Sequence, residues 1–189
     1  MDKSTSYPIV GIGFSAGGIE ALLTFLTHLP KPTGASFVII PQLSIDDKSL
    51  LDKMLKRCTH LHISWINNGI IPKPERAYLL PPGHQLDFKD QAFLLKPFLS
   101  QQKITRMIDR GFTALAYAFQ RRVIGIVLSG TGKDGLLGVK AIEKQGGIVF
   151  VQHPETALFQ SMPASIIADN HPDMVATPEE LAEILPRML

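Results

Sequence analysis

The stretch Ile9-Val10-Gly11-Ile12-Gly13-Phe14-Ser15-Ala16-Gly17-Gly18 decides how the rest of the chain is read. It is an apolar run that turns on small residues and passes directly into a helical pattern, Ile19, Leu22, Leu23 and Leu26. A strand that ends in a tight Gly-rich turn and feeds a helix is where α/β proteins place their chemistry. Ser15 stands in that turn, inside the literal G-x-S-x-G of Gly13 to Gly17. Small residues let a serine Oγ stand clear of the backbone at so sharp an elbow. The first N–H groups of the following helix lack partners within it, so they are ready to stabilise an oxyanion.

Two other readings compete for the same stretch. Gly11-x-Gly13-x-x-Ala16 also fits a dinucleotide fingerprint, which expects an acidic residue about 20 positions later at the end of the next strand. The next strand, Phe37-Val38-Ile39-Ile40-Pro41-Gln42-Leu43, carries none. The plainer reading is a tight turn in which Ser15 caps the helix.

Outward from this elbow, apolar runs alternate with amphipathic segments, the sign of a parallel sheet covered by helices. A first strand over about 8–14 and a helix over about 17–28 are followed by turn chemistry at Pro30-Lys31-Pro32-Thr33-Gly34. A strand over about 36–42 leads to a helix with acidic residues at its start, Asp46 and Asp47. Three shorter runs then lack a helical period: His60 to Ile66, Arg76 to Leu80 and Gln91 to Lys96. Broken by Pro72, Pro74 and Pro81-Pro82-Gly83, they predict an antiparallel annex of hairpins. Helical period returns from Met107 to Phe119, and a buried strand from Val123 to Leu128 ends in the turn Ser129-Gly130-Thr131-Gly132-Lys133-Asp134-Gly135. A helix over about 134–145, a strand ending at His153, a helix around Met162–Asp169 and a short run at Met174-Val175 follow. Thr177 and Pro178 announce a last helix. The expected fold is α/β: three-layer, doubly wound, with a mostly parallel sheet and a hairpin annex, in one domain over 1–189.

The composition is that of an ordinary soluble globular protein, with 45% hydrophobic and 19% charged residues. A net charge of +2 without a dense basic run gives no reason to expect nucleic acid. No apolar segment approaches the roughly 20 residues of a membrane span, and the N-terminus lacks a signal-peptide pattern. The one cysteine, Cys58, fits the cytoplasm and reads as a core or boundary residue.

In a doubly wound sheet, ligands sit beyond the carboxyl ends of the strands. Four predicted strand ends deliver polar candidates there: Ser15, Gln42, Asp134 and His153. The loop at Asp134 fails as a P-loop, because Val127 stands where glycine is needed and Asp134 where a hydroxyl is needed. Asp134 is then either a helix cap or the acid that orients a histidine toward Ser15. Of the six histidines, His28 ends the first helix, His60 and His62 alternate on a predicted edge strand, His84 follows the Pro81-Pro82-Gly83 loop, and His171 lies in an Asn-His-Pro turn. No third ligand joins His60 and His62, and nothing calls for a metal or cofactor. Only His153 is brought to the rim by topology.

Several segments together resemble the catalytic domain of the chemotaxis protein-glutamate methylesterase, CheB, along nearly the whole chain, closest to the form fused to the chemotaxis methyltransferase. They are Val10 to Gly18, Val38 to Ser44 with Lys48-Ser49-Leu50-Leu51, Tyr78 to Gly83, Leu128 to Gly135, and Val151 to Ala157. The resemblance implies a Ser-His-Asp triad that hydrolyses receptor glutamate methyl esters, and in some members deamidates receptor glutamine. Ser15 matches the nucleophile and Asp134 the acid. The implied partners are methylated chemoreceptors or other chemosensory proteins, with a methyltransferase or sensor domain as a fusion partner. The receiver domain that controls many members has no counterpart in 1–189.

The third member does not match. Where the family reads Gln-His after the second strand, this chain reads Gln42-Leu43. Leucine neither accepts nor donates a proton, so the general base is missing at its expected place. Ala16 replaces a frequent hydroxyl residue, Ile104-Thr105-Arg106-Met107 replaces a basic-Pro pattern, and His153 stands where Asp or Asn is usual. Three readings follow: an esterase that recruits another base, with His153 the candidate substitute; a pseudoenzyme that binds a receptor or signalling partner; and a serine hydrolase of another ester or amide.

Overall fold

A computed structural model of the chain describes residues 7–42, 45–98 and 106–188. The opening apolar run becomes strand β1 (Ile9–Phe14), and the periodic segment behind it becomes helix α1 (Gly18–Thr27). In chain order there follow β2 (Ser36–Pro41), α2 (Ile45–Cys58), β3 (His62–Trp65), β4 (Arg76–Leu79), β5 (His84–Lys89) and β6 (Ala92–Pro97). The second half supplies α3 (Met107–Phe119), β7 (Val123–Val127), α4 (Leu136–Lys144), β8 (Ile148–Gln152), α5 (Ser161–Asp169), β9 (Met174–Ala176) and α6 (Pro178–Ile184). Thr177 and Glu180 form a reciprocal capping box at the start of α6, as the Thr-Pro signature predicts.

Seven strands form one sheet in the order β3-β4-β2-β1-β7-β8-β9, and every neighbouring pair is parallel. Every residue of β1 and β2 is buried, because helices cover both faces. On one face Leu22, Phe25, Leu55 and Leu181 of α1, α2 and α6 pack against Val10, Ile12 and Phe14. On the other, Phe112, Leu115, Val139 and Ile166 of α3, α4 and α5 form a second core with the hairpin residue Phe93. The three-layer, doubly wound expectation holds.

The predicted antiparallel hairpin annex is present, but two of the runs assigned to it belong to the main sheet. β3 and β4 are parallel strands of the main sheet, with His62 opposite Arg76 and Trp65 opposite Leu79. Among the described residues only β5 and β6 pair antiparallel, in a separate two-stranded sheet. β5, residues His84–Lys89, has no counterpart among the predicted runs. The link from β3 to β4 is an irregular loop bonded to the hairpin: Gly69 N donates to Phe93 O (2.9 Å) and Phe93 N to Ile70 O (2.9 Å).

The glycines of β1 have a packing reason. A Cβ on Gly13 would lie 2.3 Å from Ile108 Cγ2, and one on Gly11 would lie 2.6 Å from Leu115 Cδ1. Both therefore let α3 lie close on β1, which accounts for the G-x-G spacing without a nucleotide.

Candidate active site

β1 is the point where the chain reverses its path through the sheet. α1 carries the chain from β1 to β2 on one side, while α3, on the opposite face, delivers β7 to the other side. The crevice beyond the carboxyl ends of β1 and β7 is thus the topological switch point, where such sheets hold ligands.

Ser15 sits in that crevice and is buried. Its amide donates to Ser129 O (3.0 Å) at the end of β7, and its Oγ donates to Gln42 O (3.1 Å) at the end of β2. Ser15 does not cap α1: the N-cap is Gly17 at φ 68°, with no side-chain cap. A side chain there would be strained at that φ, and its Cβ would meet Leu158 Cβ at 2.8 Å. Among the described residues, Ala16 N and Gly17 N have no hydrogen-bond partner, so two donors stand open beside Ser15. Ser129 ties the elbow to the loop before α5: its Oγ donates to Ala16 O (3.0 Å) and accepts from Phe159 N (3.0 Å). Its own amide donates to Gln152 Oε1 (2.8 Å).

Asp134 is buried, and its carboxylate holds three backbone N–H groups. Oδ2 accepts from Ile108 N (3.1 Å), and Oδ1 accepts from Asp109 N (2.9 Å) and Gly135 N (2.8 Å). The capping expectation is right in kind and wrong in helix, since Asp134 caps α3 rather than its own α4. The start of α4 is capped from α3, where Asp109 Oδ1 accepts from Leu137 N (2.8 Å) and Gly138 N (3.0 Å). Two helices are thus cross-capped by two buried acids. Burial raises the Asp109 carboxyl above the ordinary carboxylate range. The nearby Asp134 charge adds to the rise, and the N–H groups of Gly138 and Leu137 only partly offset it.

A cleft of about 410 Å³ is lined by both Gln42, which takes the Ser15 hydrogen bond, and Asp134. Leu43, which the sequence resemblance sets where a general base is expected, lies outside the described residues. His153 follows β8 and is exposed; its Nδ1 accepts from Glu155 N (3.3 Å) and its amide donates to Ala176 O (2.8 Å). β7 lies between β8 and β1, and among the described residues no hydrogen bond joins His153 to Ser15 or Asp134. Four of the five other histidines have partners away from the crevice: His28 with Thr24 O, His60 with Glu75, His62 with Arg76 and His84 with Pro82 O. Cys58 is half-buried at the edge of the α1–α2 core, where burial raises its thiol pKa. Sequence reasoning missed Asp109 and Ser129. Ser129 was findable in principle, because it follows β7 as Ser15 follows β1.

The doubly wound sheet with its separate two-stranded hairpin is the fold of a CheB methylesterase catalytic domain. The model of that family, described as CheB methylesterase, matches residues 10–185, and this chain belongs to the family. A Leptospira interrogans protein, provisionally named a protein-glutamate methylesterase/protein-glutamine glutaminase, is 30% identical over 184 residues, covering 97% of this chain and 95% of that protein. A Moorella thermoacetica protein-glutamate methylesterase/protein-glutamine glutaminase is 31% identical over 179 residues, covering 92% of this chain but 42% of the relative, so the chain spans less than half of that protein. The crystal structure of the Thermotoga maritima CheB methylesterase catalytic domain superposes with a TM-score of 0.89 at 26% identity, covering 98% of this chain and 100% of that one. No described helix is long and apolar enough to cross a membrane.

Proposed function

We propose that this chain is a CheB-type domain directed at glutamyl side chains of chemoreceptors or other chemosensory proteins in the cytoplasm. In this reading it keeps the nucleophile Ser15 and the acid Asp134, and hydrolyses the methyl ester slowly because the general base is absent. The observation that carries the reading is the hydrogen bond from Ser15 Oγ to the backbone carbonyl of Gln42 (3.1 Å). A carbonyl oxygen orients a hydroxyl but does not remove its proton.

Ester hydrolysis through a serine needs that proton removed as the Oγ–carbonyl bond forms, and a proton delivered to the departing methoxide. A histidine following Gln42 would do both; Leu43 does neither. What remains is positioning of the serine and oxyanion stabilisation by the open Ala16 and Gly17 N–H groups. Such a remnant loses several powers of ten in rate. At the limit of no turnover, the domain is a binding module for the same partners.

The test is methanol release from a methylated chemoreceptor and from the side-chain methyl ester of a capped glutamate. The parent chain is expected to run close to Ser15→Ala, and Leu43→His to gain about 10-fold or more, within the range general-base catalysis supplies. A parent rate typical of an intact esterase, abolished by Ser15→Ala, would overturn the impaired-site reading. If His153→Ala removed that rate too, His153 would be the substitute base.

A further inference from the structure

We infer that a groove running from the Gln42–Asp134 cleft between α3, α4 and the β5–β6 hairpin docks an acidic, apolar-faced polypeptide segment, the one that presents a glutamyl side chain to Ser15. This rests on the methylesterase reading above. The 410 Å³ cleft shares Arg106, Asp109 and Leu137 with a neighbouring cleft of about 640 Å³, so the two form one groove. The larger cleft carries apolar walls, Leu86 and Phe88 of β5 and Tyr117 and Leu137 of the two helices, beside its charged residues. Tyr117 is 62% and Leu137 52% exposed, large apolar surface placed on either side of one channel.

Charge selects the occupant. Arg106, Arg110 and Lys133 line the groove and are exposed, and among the described residues no carboxylate pairs with them. The three carboxylates of the groove are already engaged: Asp87 pairs with Lys96, the buried Asp109 accepts from the start of α4, and the buried Asp134 accepts from the start of α3. The groove therefore presents three open positive charges and no open negative one. The Arg110 guanidinium lies 5.6 Å from the centre of the Phe98 ring, which holds one of these charges against the wall. From Arg106 to Tyr117 the groove follows α3 for roughly 17 Å, the length of three helical turns or about five extended residues. That length, with apolar walls and positive charges reaching the cleft lined by Gln42, matches a polypeptide segment with glutamates beside the one delivered.

The experiment uses the whole chain and a fluorescein-labelled peptide of about 18 residues, leucine and alanine on one helical face and glutamate on the other. Anisotropy is read at low ionic strength, where exposed charges act at longest range. The parent is expected to bind. Arg110→Glu should weaken binding about 10-fold, and Tyr117→Ala should weaken it several-fold. Lys53→Glu, the same charge change on α2 across the sheet, should leave it within about twofold. A peptide with glutamine for glutamate should bind about 10-fold more weakly. Far-UV circular dichroism checks folding, with Arg110→Gln as the milder substitute and about a threefold loss expected. The proposal is overturned if the parent fails to bind, if Arg110→Glu or the glutamine peptide binds as well as its reference, or if a DNA oligonucleotide of equal charge binds more tightly. It is equally overturned if Arg110→Glu dissolves a dimer of the chain while peptide binding stays. Hydrolysis is read separately: a peptide bound by the groove with no methanol released by Leu43→His would sink the esterase reading and leave the groove standing. Methanol release by Leu43→His without peptide binding would do the reverse.

Discussion

Three backbone N–H groups converge on the Asp134 carboxylate, two of them from the first turn of α3, so deleting it leaves buried donors without acceptors. Asp134→Ala should therefore lower stability by about 3 kcal/mol, while Ser15→Ala, losing one hydroxyl bond, should cost about 1 kcal/mol or less. Urea midpoints of the two variants check this; equal losses would mean the carboxylate does not hold α3. Ser15 follows β1 directly as the sequence predicts, whereas Asp134 stands at the far end of the loop after β7, just before α4. The sequence could not show what Asp134 holds, since Ile108 lies in a helix that precedes it by a strand and two turns. Asp109 makes a pH prediction. Its folded pKa is raised, so between the ordinary carboxylate value and the raised one the folded chain keeps a proton that the unfolded chain releases. Its contribution is thus most favourable below the ordinary value and declines as pH rises through the raised one, by at most about 1.4 kcal/mol per pH unit. Asp109→Asn keeps an oxygen for Leu137 N and Gly138 N without the charge. Its stability relative to the parent should rise from about pH 4 toward neutrality, read from urea midpoints at several pH values. A difference that does not vary with pH would contradict the assignment.

Helix α3 is the element on which the site depends, because it packs on β1, carries Asp109 and is pinned at its start by Asp134. Its approach is set by Gly11 and Gly13, and their neighbours differ in how far they can yield. Ile108 Cγ2 sits on a β-branched carbon with little rotamer freedom in a helix, whereas Leu115 Cδ1 is the end of a side chain that can turn aside. Gly13→Ala should cost about 2–3 kcal/mol and Gly11→Ala about 1 kcal/mol, measured by thermal or urea unfolding. The reverse order would mean that α3 shifts as a body. The G-x-G spacing was legible, but its reason was not, since the helix that needs the gap comes almost a hundred residues later. β3 and β4 were legible as strands and misread in direction. Parallel neighbours usually need a helical crossover, and here the crossover is an irregular, proline-containing loop that looks like the loop of a hairpin. The whole of β5 escaped, because Pro81-Pro82-Gly83 immediately before it reads as a turn and Gln85, Asp87 and Lys89 interrupt its apolar residues. Pairing with β6, from His84 opposite Pro97 to Lys89 opposite Ala92, makes it strand.

At the scale of the molecule, the two cores meet only through the sheet, whose strands send side chains to each in turn. Val10, Ile12 and Phe14 of β1 enter the α1–α2–α6 core, while Ile9 enters the α3–α4–α5 core. Ser15 is positioned by strands β1, β2 and β7 together, and Asp134 is locked to α3, so loss of either layer removes the site. The site and both cores should then be lost together, with residues 1–189 unfolding as one domain. The one tryptophan makes this testable. Trp65 lies on β3, at the sheet edge opposite β9, and packs half-buried against the α1–α2 core. Far-UV circular dichroism instead reports the helices of both faces. Edge strands and their covering helices have fewer neighbours than central ones and are the parts expected to open first if cooperativity fails. With one shared sheet, Trp65 fluorescence and helical ellipticity should follow a single urea transition with one midpoint. A tryptophan transition at clearly lower urea would show α2 and β3 separating before the rest and would divide the chain into two folding units. The Ser15 crevice, on the central strands, would then belong to the more stable one.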